Sequence, residues 1–146
     1  MFEKQSDEAK IREVYKKLAP KMVTEAANFN IQLDYSIESL KSVDKILESL
    51  HMEYKNLHNK ASQDVENSYR GYAEMLGCYM LAIIDKHKVP GKLTIVKDNF
   101  GTALGFTFAS GTFSDFVAWC YKAILNGKDD AIVPKYELFA NGKEHM

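Results

Sequence analysis

Six apolar residues, Leu40, Val43, Leu47, Leu50, Tyr54 and Leu57, recur at alternating steps of three and four, and this seam constrains the fold more than any other feature. A stripe so spaced stays on one side of an α-helix and packs lengthwise along another helix. The segment that opens it, "LDYSIESLKSVDKILESLH" at residues 33–51, carries its own start signal. Ser36 is placed to accept a hydrogen bond from a first-turn N–H, and Glu38 lies where the helix dipole favours negative charge. With Ser36 as N-cap, Tyr35 and Leu40 take the positions of a hydrophobic staple. Upstream, Phe29, Ile31, Leu33 and Tyr35 alternate with Asn28, Asn30, Gln32 and Asp34, the period of a short edge strand or an extended connector.

A seam of this kind needs partners, and the rest of the chain supplies them. Over residues 3–27, Ile11, Val14, Tyr15, Leu18, Met22 and Ala26 form an amphipathic helical pattern with Glu8–Arg12 and Glu13–Lys17 pairs outside. Pro20 makes this either one kinked helix or two short ones. After the loop-like "NLHNKAS", Ser62 is placed to cap a helix carrying Val65, Tyr69, Tyr72, Ala73, Leu76, Met80, Ile83 and Ile84. Gly71 and Gly77 each cost that helix about 1 kcal/mol relative to alanine, which predicts a neighbouring helix in close approach. "HKVPG" ends it.

"KLTIVK" (92–97) and "TALGFTFAS" (102–110) read as strands joined at "DNFG" into a β-hairpin, with Gly105 a weak point or a bulge. Thr112 and Asp115 stand at capping-box spacing before Phe113, Phe116, Val117, Cys120, Tyr121, Ile124 and Leu125, and Asp129 or Asp130 is placed to cap a last short helix over 131–139. The expected fold class is α+β: a single globular domain over 1–146, mainly helical. It has about five helices, and the β-hairpin falls between the third and fourth long helical segments. The long second and third helices are expected to pack antiparallel.

With 146 residues the chain can bury one sizeable core without disulfides or a structural metal. Its 19 basic and 20 acidic residues leave a formal charge of −1. Cutting after Lys60 leaves ten of each before the cut and nine basic against ten acidic after it, so neither half has the positive excess that phosphate backbones attract. Nucleic acid is not an expected partner. Cys78 and Cys120 both fall in apolar helical patterns; the count allows one disulfide, but two cysteines make no framework, and free buried thiols are expected. "MFEKQSDEAK" is charged where a signal peptide needs its apolar core, and the longest apolar run, "MLGCYMLAII", falls short of the roughly 18 residues that span a bilayer. No membrane association and a cytoplasmic location are expected.

Motifs for chemistry are sparse. His51 and His58 are two helical turns apart, about 10.5 Å along an axis, too far to share one metal ion, and HExxH is missing. His87, at a helix end, is suited to the dipole and free carbonyls there. Gly101 and Gly105 in "NFGTALGF" match no phosphate-binding loop, and GxSxG is absent. No catalytic residue, metal site or cofactor is assigned. The binding candidates are Glu74 and Asp85, on the same helix side as Cys78 and able to act as acid–base groups or as a recognition stripe, with Tyr72, Tyr79 and Trp119 as aromatic anchors.

The pieces "LDYSIESLKSVDKILESL", "GYAEMLGCYM" (71–80), the paired strands and "NGKDD" (126–130) together resemble small bacterial proteins of a domain-of-unknown-function family. In that family an "LDYS" entry leads into an "ESLK" helix, a tyrosine- and glycine-rich helix, two strands and a helix ending near "NGxxD". The chain departs from it at Leu81 and Ala82, where a Gly-Glu pair is expected, and in lacking a tryptophan at the first strand. The resemblance implies kinship with immunity or accessory proteins encoded beside toxins. The expected function is a non-enzymatic protein-binding module, with a protein partner or homodimer. The alternative is a small-ligand-binding domain or enzyme with a pocket between helices and hairpin, lined by Glu74 and Tyr72.

Overall fold

The computed structural model describes residues 5–57, 62–99 and 101–141. Among the described residues the architecture is α+β: five α-helices with a three-stranded antiparallel sheet whose hairpin lies between the third and fourth helices. Helix α1 (Asp7–Ala26) starts at Ser6, whose Oγ accepts from the Ala9 N–H at 3.1 Å. It runs unbroken through Pro20, which resolves the choice between one helix and two. Pro20 and Lys16, whose carbonyl loses its helical donor, are both exposed, so water can satisfy that carbonyl.

The chain then turns through Asn30, which is left-handed (φ 58°), and 31–34 form an extended connector rather than a strand, with Leu33 buried between exposed Gln32 and Asp34. Ser36 caps as expected, accepting from the Ser39 N–H at 3.1 Å, but the first turn (Ile37–Ser39) is 3-10 and α2 proper is Leu40–Lys55. The seam of α2 buries Leu40, Val43, Ile46, Leu47 and Leu50. It does not lie along the third helix. It packs mainly on α4 (Phe116–Asn126) and α5 (Ile132–Ala140), and meets α3 (Gln63–Lys86) at few points.

The reason is the character of α3. Every residue from Leu76 to Ile84 is buried, so this helix is apolar on all sides and sits at the centre, with α1 and α4 as its main neighbours. Gly77 permits the α3–α4 contact: a Cβ there would lie 2.6–2.8 Å from Val117 Cγ2, N and Cα. Gly71 has no such role, because nothing lies within 4 Å of its missing Cβ.

Strands β1 (Gly91–Asp98) and β2 (Gly101–Phe108) pair in continuous register from Gly91↔Phe108 to Asp98↔Gly101. Gly105 therefore marks no bulge. Its bare Cα lets a third strand the sequence did not announce, β3 (Phe113–Ser114), approach β2; a Cβ would strike the Ser114 carbonyl and the Phe113 ring. Because residues 113–114 are spent in β3, α4 starts later than the Thr112 signal suggests, with Asp115 itself as N-cap on the Ala118 N–H at 3.1 Å. The α5 start is not held by Asp129 or Asp130 either. Asp44 of α2 reaches it, accepting from the N–H groups of Ile132 (2.8 Å) and Val133 (3.0 Å).

Candidate functional site

The five candidate residues do not form one site. Tyr79 is fully buried, and its hydroxyl lies in a relay. The Tyr35 N–H donates to Tyr79 Oη at 2.9 Å, and Tyr79 and Ser39 Oγ are 2.7 Å apart. Ser39 gives its own proton to the Ser36 carbonyl, so Tyr79 must donate to Ser39. This relay holds Tyr35 in a left-handed backbone conformation (φ 63°), its ring tilted against that of Tyr79 at 5.0 Å and its carbonyl 2.9 Å from His87 Nε2. Tyr79 thus joins the "LDYS" entry to α3.

Asp85 is a tie between helices. Arg12 of α1 donates to it from Nε (2.8 Å) and Nη2 (3.1 Å), and the Tyr15 hydroxyl donates to the same carboxylate. The Arg12 hydrogen bonds hold Asp85 below the usual carboxylate range, while burial, helped by the bond to Asp85, pushes Tyr15 up to about 12. Neither group exchanges a proton near neutrality, so acid–base work is not their role. A cleft of ≈ 260 Å³ beside them is floored by Leu93 and Phe106.

Tyr72 is half-buried, edge-on to Phe29 at 6.0 Å, with its hydroxyl 3.4 Å from Glu25. Trp119 packs between Phe116 (5.0 Å, edge-on) and Phe139 (5.5 Å, stacked), with Lys135 Nζ 5.9 Å over its ring. Both act as packing aromatics with polar tips at the edge. His51 Nδ1 lies 2.9 Å from the Ile124 carbonyl; His58 and the loop around it fall outside the described residues. Among the described residues no group of three His, Cys, Asp or Glu is placed to hold a metal ion.

Cys78 and Cys120 are free and buried, as their apolar surroundings in the sequence suggest. Burial pushes the Cys78 thiol up to about 12 and Cys120 also upward. Both are protonated, and so unreactive as nucleophiles, at neutral pH.

Glu74 stands at a concave surface, as Asp85 does, but unlike Asp85 it makes no hydrogen bond or salt bridge among the described residues. The cleft, ≈ 250 Å³, lies between α1, α3, β2 and the start of α4 and is lined by Val14, Leu18, Leu81, Leu104 and Val117, with Glu74 and Asp115 among its polar members. Cys78 lies in its wall, 3% exposed, while Tyr72 lies elsewhere. Val14 and Leu18 also line a second, open hollow of ≈ 330 Å³ on the outer side of α1, beside Glu13, Lys17 and Lys21. Helix α1 is therefore a ridge between two hollows. Sequence reasoning placed Val14 and Leu18 in the core stripe; both are only half-buried. Their partners Leu104, Asp115 and Val117 are too distant in the chain to leave a local signal.

Comparison of the chain with protein-family models, with curated proteins and with solved structures gives no match.

Proposed function

We propose that the protein is a non-enzymatic protein-binding module whose partner seats on the α1–α3–β2–α4 cleft. The observation that carries this reading is the make-up of the cleft and of the α1 ridge beside it: half-buried apolar Val14, Leu18, Leu104 and Val117, with charged Glu74 and Asp115 in the cleft and Lys17 and Lys21 in the hollow across the ridge. An apolar centre with a charged rim is the anatomy of a protein interface. Occlusion of a toxin is the form of this role that the resemblance of residues 33–130 implies. Pull-down with the products of adjacent genes, followed by calorimetry, tests it. A sub-micromolar complex weakened at least tenfold by Leu18→Asp, with the circular dichroism of the variant unchanged, is the expected result. Absence of any complex, with another protein or with a second copy of this chain, removes the reading.

A second reading rests on Glu74 and Asp115 converging on one cleft at the junction of helices and hairpin, which suits a small cationic ligand. The volume of ≈ 250 Å³ lies just under the roughly 300 Å³ of ordinary ligand pockets. Cationic fragments that shift the amide resonances of residues 74 and 115, and no others, would favour it.

A further inference from the structure

The two sides of the Val14–Leu18 ridge of α1 carry opposite charge. On its outer side, lining the second hollow and not the cleft, stand Lys17 and Lys21, exposed and without an ion-pair partner among the described residues. Glu13 shares that side but accepts a hydrogen bond from Gln5 Nε2 at 3.2 Å. On the α3–α4 side stand Glu74, exposed and with no hydrogen bond or salt bridge among the described residues, and Asp115, occupied on one oxygen by the Ala118 N–H. The apolar strip runs between them.

A surface with lysines on one rim and carboxylates on the other is complementary to itself. A two-fold axis through the strip carries each rim onto its opposite, so the lysines of one copy face the carboxylates of the other. The shape follows the same symmetry, because the α1 ridge of each copy meets the cleft of its mate. The formal charge of −1 leaves almost no net repulsion between copies. Building on the protein-binding reading above, we propose that the cleft is covered by a second copy of this chain in an isologous dimer. The apolar strip supplies the affinity, and the exposed rim charges set the register.

Sedimentation equilibrium of the full chain over a range of concentrations tests this. The expected mass is about 33 kDa, twice the 16.6 kDa of the chain. Two charge reversals, the pair Lys17→Glu/Lys21→Glu in one chain and Glu74→Lys in another, should each weaken self-association about tenfold. Mixing the two should restore a heterodimer, because every reversed rim then meets a reversed rim and every native rim a native one. All three changes are at exposed positions, so circular dichroism should report unaltered folds. A dimer indifferent to both reversals, or one that mixing fails to restore, overturns the proposal. A wild-type chain that stays monomeric also overturns it. If that monomer still binds another protein through Leu18, the broader binding reading survives; if it binds none, both fall.

Discussion

The polar side chains that matter most to this protein are those with few alternatives. Asp85 receives three hydrogen bonds from α1, and its folded pKa lies below the ordinary value, chiefly through Arg12. The unfolded chain therefore binds the proton more readily, and Asp85 adds stability above the unfolded carboxylate value of about 3.9 that is lost as pH falls through the folded value. Asp85→Asn should lower stability at pH 7 by about 1 kcal/mol and flatten the loss of stability from about pH 5 downward, read by urea titration across pH. Equal slopes in variant and wild type would contradict this. Ser114 is the opposite case, a hydroxyl 2% exposed with no hydrogen-bond partner among the described residues. Ser114→Ala removes a desolvated group without emptying much volume, and should raise stability by up to about 1 kcal/mol in thermal denaturation. A clear loss would mean that the hydroxyl has a partner.

Two contacts between elements place α4 and α5. Asp44 donates nothing and accepts twice from the first N–H groups of α5, at the positive end of that helix dipole. Asp44→Ala should cost about 1–2 kcal/mol and speed amide exchange in α5 before the rest of the chain, while Asp44→Asn should recover part of the loss. Uniform exchange across all helices would argue against a local cap. The two glycines of α3 offer a paired test. Gly71→Ala should stabilise by about 1 kcal/mol, since open space surrounds it and helix propensity alone acts. Gly77→Ala should destabilise by about 1–3 kcal/mol, because two of the three atoms its Cβ meets are Val117 backbone, which cannot swing away. The sequence marks both glycines alike. Only the position of α4 tells them apart.

At the scale of the whole molecule, α3 is the axis, and both cysteines are sealed around it: Cys120 is fully buried, and Cys78 is 3% exposed. Both thiols should resist a soluble aromatic disulfide reagent in the native state and react together when the chain unfolds, at a rate that follows global unfolding. Rapid labelling of one thiol in native buffer would reveal local opening at the cleft wall. Among the described residues no helix is long and apolar enough to cross a membrane. What residues close in sequence control was legible in advance: the helices, from three- and four-residue spacing; the hairpin, from alternation around "DNFG"; the Ser36 cap and the buried thiols. The missing parts all depend on groups far apart in the chain. Asp44 caps residues 88 and 89 positions away. β3 exists because Gly105 lets it near. The Tyr79 relay spans 44 positions to Tyr35. The α2 seam showed that it would be buried, but not where, because periodicity identifies an apolar face and not the surface that meets it. The cleft is the sharpest instance: its walls come from four separate elements, and only their packing leaves Val14 and Leu18 half in water.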